Sequence, residues 1–262
     1  MKDSRTGLTQ KHNPMRTFGI IGYPLGHSWS AKYFSGKFEK EGIYDAQYKI
    51  FPLESIHDFP ELLKSEPGLA GLNVTIPYKE KVIQYLNGLE GAAAETGAVN
   101  VIKFDRSGLQ PKLTGHNTDA AGFEKSLISE CIPLPRKALV LGTGGASKAV
   151  TWVLKKYGCD FLMASRNPAD ISTIGYTDIT GEIINEHTLI INTTPLGMHP
   201  NIDSCPEIPY QWLTECNTLF DLVYNPPETL FLKKGREKGC KTVNGAGMLI
   251  EQARKAWEIW SG

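Results

Sequence analysis

From Thr17 the run TFGIIGYP is short and apolar and ends at Gly22 and Pro24, the pattern of a buried strand feeding a loop. After the loop GYPLGHSWS, the stretch AKYFSGKFEKEG sets Tyr33, Phe34 and Phe38 at helical spacing and stops at Gly42. AQYKIFPL then reads as a second strand, PELLKSEPGLA as a short helix, GLNVTIP as a third strand and KEKVIQYLNG as a helix closed by Gly88. AVNVIKFDRSGLQPKLTGHN predicts a hairpin, because two β-prone runs flank a Ser-Gly turn. TDAAGFEKSLISE predicts a helix that joins two domains.

Beyond CIPLPR the texture changes. KALVLG, FLMASRN, TLIINTTP, TLFDLVY and KTVNG are near-continuous apolar strands, and GTGGASKAVTWVLKKYG is a helix opened by glycines. Strands apolar throughout, alternating with helices, predict a parallel sheet covered on both faces. The final GMLIEQARKAWEIW carries Leu249, Ile250, Ala253, Ala256, Trp257 and Trp260 on one stripe, an amphipathic helix expected to fold back onto the first domain.

Composition narrows the class. The chain has 262 residues, room for two domains at about 100–200 residues each. Its 41% hydrophobic and 21% charged residues are the balance of an ordinary folded protein rather than a disordered one. Twenty-eight basic residues offset twenty-eight acidic ones with no Lys or Arg run, which argues against nucleic acid or a membrane surface as partner. The five cysteines form no Cys-x-x-Cys pair, so no disulfide framework or structural zinc is indicated and a reducing cytoplasm fits. Residues 1–15 carry charge and Pro without an apolar signal core and read as a disordered tail, with Met15 as an alternative start; no apolar run is long enough to predict a membrane span. The six histidines show no ligand-like pairing, and no metal is expected. Monomer and homodimer remain equally open.

The strongest local signal is LVLGTGGASKA, a strand, a Gly-rich turn and a helix start. Gly142 suits the tight turn, Gly144 permits close approach of a pyrophosphate, and the helix start offers free N–H groups to an anion. Ser147 replaces the third glycine of the G-x-G-x-x-G pattern, so a purely steric turn is the competing explanation. The next strand ends in Ser165, Arg166 and Asn167, where NAD-binding chains usually carry an acid for the ribose hydroxyl. A planar cation there suits a 2′-phosphate instead, which favours NADP; a solvated strand-end Arg is the plainer reading.

A second group of polar residues gathers in the first half. Asn73 and Thr75 share one strand face by the period of two, Lys79 follows Pro77, and Ser28, Ser30, Asn100, Asn117, Thr118 and Asp119 sit at loops and segment ends. Each has an innocent reading: Ser28, Ser30, Thr118 and Asp119 suit helix caps, and Lys79 suits a surface turn.

Taken together, GYPLGHSWS, NVTIPYK, GAVNVI, GHNTDAAGF, GTGGASKA, SRN, NTTPLGM, DLVYNP and NGAGMLIEQA resemble, in order, the signature segments of shikimate dehydrogenases, from about residue 20 to the end of the chain. The resemblance implies an α/β fold with an N-terminal α/β substrate domain, 16–117 plus 246–262, and a Rossmann-like NADP-binding domain, 118–245. It implies NADP-dependent interconversion of shikimate and 3-dehydroshikimate in aromatic amino acid biosynthesis. Lys79 and Asp119 are then the catalytic pair. Ser28, Ser30, Thr75 and Tyr224 would hold the substrate carboxylate, and Asn73, Asn100, Asp119 and Gln252 would line the substrate site and read its hydroxyls. For the cofactor the resemblance names Gly142, Thr143, Gly144, Gly145, Ala146, Ser165, Arg166, Asn167, Asn192, Thr193, Met198, Leu222, Gly245 and Met248, with core packing as the competing role of both methionines.

Three positions depart from the family pattern: Ala31 replaces a usual Pro, Ala120 a usual Gly and Asn167 a usual Thr, the last touching the 2′-phosphate site. The rival functions are a quinate or shikimate dehydrogenase using NAD, and a binding homologue that has lost the chemistry.

Overall fold

The computed structural model describes residues 14–26, 28–108, 110–168 and 172–262. Strand β1 (Arg16–Gly22) is buried over nearly its whole length because parallel strands flank it on both sides, β2 (Ala46–Pro52) and β3 (Leu69–Val74). The crossovers are helices α1 (Trp29–Glu41) and α2 (Phe59–Ser65). Helix α1 stops at Gly42, whose left-handed backbone returns its N–H to the last-turn carbonyls. The chain then adds β4 (Gly88–Leu89), α3 (Ala92–Thr96) and the hairpin β5 (Val101–Asp105) and β6 (Lys112–His116), giving a mixed sheet in the order β2-β1-β3-β5-β6-β4. Because β5 runs antiparallel to β3, the segment between β3 and β5 and the segment after β6 reach the same end of this sheet.

Helix α4 (Thr118–Ser129) leads into the second sheet. Here β7 (Lys137–Leu141), α5 (Gly145–Lys156), β8 (Asp160–Ser165), β9 (Thr173–Gly175), α6 (Gly181–Glu186), β10 (Leu189–Asn192), β11 (Thr218–Asp221), α7 (Leu230–Arg236) and β12 (Lys241–Val243) follow in turn. All strands are parallel, in the order β12-β11-β10-β7-β8-β9. That is the dinucleotide-binding order, with its reversal between β7 and β10, where a crevice opens beyond the strand ends. The strands are apolar on both faces because both are covered: Ala138 and Val140 face α4 and α5, while Leu139 and Leu141 pack with residues of α6 and α7.

Helix α8 (Ala246–Ser261) serves both cores. Its start places Met248 among Phe123, Phe220 and Val243, and its end places Ala253, Ala256 and Trp260 among Phe18, Phe34 and Val101. Trp260 Nε1 also donates to Ile102 O at 3.0 Å. Helices α4 and α8 touch closely at Gly122, where a β-carbon would lie 2.6 Å from Met248 O. A side chain there would force the helices apart. Among the described residues, no helix is long and apolar enough to cross a membrane.

Several expected elements differ. The helix expected over 79–88 is only a short 3-10 turn, Lys81–Tyr85. Asn87 explains the break: its N–H donates to Leu113 O at 2.9 Å and its Oδ1 accepts Leu113 N–H at 2.7 Å, which draws the chain into β4. The helix expected over 60–70 ends at Ser65, since β1 captures the backbone from Leu69 onward. Elements α3, β4, β9, α6 and α7 are too short to carry a readable period. The expected tail, apart from Pro14 and Met15, lies outside the described residues.

Candidate active site

The ends of β3, β7, β8 and β10 border one cavity of ≈ 750 Å³. Thr75 and Lys79 line one wall; Gly142, Thr143, Gly144, Gly145, Ala146, Ser165, Arg166 and Thr193 line the other.

Lys79 comes off the turn after β3, and its carbonyl is fixed by Val99 N–H at 2.7 Å. Its Nζ lies 2.5 Å from Asp119 Oδ2, with the side chains only 16% and 5% exposed. Asp119 sits in the first turn of α4, capped by Asn117, whose Oδ1 accepts Ala120 N–H. Asn100, itself 3% exposed, donates through Nδ2 towards Asp119 Oδ1 at 2.8 Å, Thr118 Oγ1 at 3.0 Å and Gln252 Oε1 at 3.1 Å. Its Oδ1 accepts the Thr118 N–H at 2.7 Å, which locks the amide's orientation. An amide NH2 carries two hydrogens, so three acceptors compete for them and the farthest, Gln252, is the one open to a ligand hydroxyl.

A further layer holds this corner. Tyr48 on β2 is half-buried, stacks on Phe34 and donates its hydroxyl to Asn73 Oδ1 at 2.6 Å; Ser30 bonds the same phenol. Asn73 Nδ2 in turn reaches Asn100 O at 3.5 Å. Burial pushes the Tyr48 phenol well above its usual range, so it stays a proton donor. Ser28 caps α1 by accepting Ala31 N–H at 3.4 Å, and its own proton remains available. Tyr224 is half-buried and burial raises its phenol too.

The opposite wall is built differently. Gly142 has φ +105°, and a β-carbon there would lie 2.8 Å from both Thr193 Oγ1 and Thr194 Cγ2. Only glycine makes this turn without strain. Helix α5 starts after Gly144 with no side-chain cap and no acid in its first turn, so its leading N–H groups and positive dipole end stay unanswered. Ser165 Oγ accepts Asn167 N–H at 3.3 Å, and Arg166 has no carboxylate partner among the described residues. The two walls meet where the aliphatic stem of Lys79 comes within 3.4 Å of the β-carbon position of Gly145. Lys148–Glu80 at 2.8 Å and Trp152 Nε1–Glu95 at 2.8 Å also cross between them.

Not every expected residue reaches the cavity. Asn192 is fully buried, its amide donating to Asp221 Oδ1 at 2.9 Å and its Oδ1 accepting from Thr194 Oγ1 at 2.7 Å. It shapes the 192–196 turn from beneath. Met248, 6% exposed, is core, and Leu222 packs against the same cluster. Gly245 abuts Leu222 O, while Met198 is 42% exposed, and neither they nor Tyr224 border the cavity. Sequence reading missed Tyr48, which looks like one aromatic in an ordinary strand, and Tyr176, which follows a strand too short to recognise. Among the described residues no cluster of His, Cys, Asp and Glu is placed to hold a metal ion.

Residues 20–102 match the model of the shikimate dehydrogenase substrate binding domain. The chain is 39% identical to the shikimate dehydrogenase (NADP(+)) of Halothermothrix orenii, over 95% of this chain and 92% of that one. It superposes with a TM-score of 0.82 and 31% identity on the crystal structure of shikimate 5-dehydrogenase from Thermus thermophilus in complex with NADP(H) and shikimate, covering 95% and 94% of the two chains. A quinate dehydrogenase from Corynebacterium glutamicum in complex with NAD gives a TM-score of 0.83 at 28% identity, covering 95% of each chain. Backbone shape is thus common to both substrate and cofactor classes, and the side chains must tell them apart.

Proposed function

The chain belongs to the shikimate dehydrogenase family, and from that premise we propose that its cleft seats the substrate against Lys79 and Asp119 and the cofactor against the glycine turn. The protein is an NADP-dependent oxidoreductase that interconverts shikimate and 3-dehydroshikimate in aromatic amino acid biosynthesis. The observation that carries the site assignment is the 2.5 Å Lys79–Asp119 pair lodged against Gly145.

The residues present fit a dinucleotide: the uncapped α5 start suits a pyrophosphate, and Arg166 without a carboxylate partner suits a 2′-phosphate. When bound, the nicotinamide supplies or accepts the hydride. The chain's own side chains manage the proton. Lys79 Nζ has three N–H donors; Asp119 holds one and the others are free for the reacting oxygen, which takes its proton from Nζ in reduction and returns it in oxidation. Asp119, fixed by Asn100, keeps the amine on that spot, and Gln252 and Asn100 read ring hydroxyls. Ser28, Ser30 and Thr75 hold the carboxylate through their hydroxyls, Ser28 while capping α1, and Tyr224, which lies outside the cavity lining, is assigned to the same group by family resemblance. Residues 16–117 with 246–262 act as the substrate domain and 118–245 as the cofactor domain, a division supported by the Trp260 packing against Phe18. Cytoplasmic location, supported by five free cysteines, and a monomer or a homodimer complete the reading.

The test is a steady-state assay with shikimate and quinate, NADP and NAD, on wild type and Arg166→Ala. Shikimate with NADP should be the best combination, and Arg166→Ala should reduce the NADP preference about tenfold or more, in line with a lost charge-assisted bond. An unchanged preference in that variant removes Arg166 from the phosphate site.

A further inference from the structure

Strands β8 and β9 pair in parallel with Ser165 opposite Gly175. Arg166 and Tyr176 each follow directly, so they emerge side by side from strands about 4.8 Å apart. Both line the main cavity together with Ser165. Tyr176 also borders a shallower recess of ≈ 450 Å³ on its other side, where Cys205 and Tyr210 lie, and is thus the partition between the two spaces.

The ring of Tyr176 packs on the core of the second sheet beside Ile179 and Ala164. Its hydroxyl has no hydrogen-bond partner among the described residues, unlike the phenols of Tyr48, Tyr78 and Tyr210, which bond Asn73, Leu53 O and Pro206 O. Burial raises the Tyr176 phenol while the nearby Arg166 charge pulls the other way; the net shift is upward, so it is a donor at neutral pH. A half-buried phenol left open beside a guanidinium that also lacks an acceptor calls for an anion rich in acceptor oxygens.

We propose that Tyr176 donates its hydroxyl to the ribose 2′-phosphate of NADP, as a specificity-determining residue acting with Arg166 and Ser165 from a separate strand. The inference rests on the reading that this cleft holds NADP. It also accounts for Asn167: a hydroxyl lost next to Arg166 in sequence is regained from the neighbouring strand.

Calorimetric binding of 2′,5′-ADP and 5′-AMP to wild type, Tyr176→Phe and Arg166→Ala tests it without turnover. Tyr176→Phe removes one oxygen and keeps the ring's packing. Its Kd for 2′,5′-ADP should rise about tenfold, the range for a hydrogen bond to a charged group, with the Kd for 5′-AMP changed less than about twofold. Equal weakening of both ligands would show a structural or base-stacking role and overturn the proposal, as would no change in either. If Arg166→Ala loses the discrimination and Tyr176→Phe keeps it, the tyrosine falls while the cofactor reading stands. If wild type itself does not prefer 2′,5′-ADP, both fall.

Discussion

Helices α4 and α5 start on opposite sides of the same cleft, yet their N-termini are finished in opposite ways. The α4 start is closed: Asn117 caps it, Asp119 answers its dipole, and Asn100 ties Thr118 and Asp119 to Gln252 on α8. The α5 start is open, with Gly144 as its cap, no acid in its first turn and clear space where a β-carbon would stand. A small neutral-ringed substrate must be oriented to fractions of an ångström, which rewards a corner whose polar groups are already paired. An anionic dinucleotide brings its own acceptors, and donors left unpaired in the free protein become its binding energy.

The largest break in this contrast comes from the closed side. Lys79→Ala should lower kcat by about 100- to 10,000-fold with little change in KM, the span of general acid–base contributions; steady-state kinetics with saturating NADP reads it. Near-normal turnover would take the amine out of the mechanism.

Beneath the open wall, Asp221 supports the Asn192–Thr194 turn and donates nothing; it accepts from Asn192, Val223 N–H and Thr229 Oγ1. Burial holds its carboxyl up at about 6 against 3.8 in an unconstrained chain. A raised folded value means that the native state binds this proton more tightly than the unfolded one. Its contribution is therefore complete below 3.8 and is lost as pH rises through about 6. Relative to Asp221→Asn, wild type should lose about 2.5 kcal/mol of stability between about pH 4 and about pH 7. Denaturant titrations of both proteins at the two pH values measure it, and a pH-independent difference would contradict it.

Two smaller changes exchange the characters of the helix starts. Gly144→Asp installs an acidic cap on α5 at φ −80°, ψ −176°, a conformation any residue adopts. It should raise thermal stability by about 0.5–1 kcal/mol while weakening NADP binding about tenfold or more through repulsion of the pyrophosphate. Asn117→Ala opens α4 and should cost about 1 kcal/mol with a loss of kcat smaller than that of Lys79→Ala. Thermal melts and cofactor titrations on the pair check both, and parallel rather than opposite shifts in stability would dissolve the contrast.

How much of this could be read from residues alone depends on range. The strands β7, β10 and β11 lie in unbroken apolar runs and the helices α1, α4 and α8 carry a full period, so their pattern is visible locally. The helix expected over 79–88 failed because Asn87 is claimed by Leu113, a partner on another strand. At the site, the motif residues Lys79 and Asp119 stand out in sequence, but Tyr48 and Tyr176 do not, since each gains its place from a neighbour in the sheet. Asn192 and Met248 are both buried, because adjacency to a motif does not say which way a side chain turns.

By its sequence alone this protein was committed to an α/β fold, a glycine turn that accepts an anion, a cation after the following strand, and the residue types of an oxidoreductase acting on a hydroxylated acid. The tertiary structure decided which of those groups meet. It set Lys79 on Asp119 across forty positions of chain, let α8 approach α4 at Gly122, and left the start of α5 bare. Composition and period act over a few residues, whereas pairing of charges, close helix contact and burial depend on distances that only the folded chain defines.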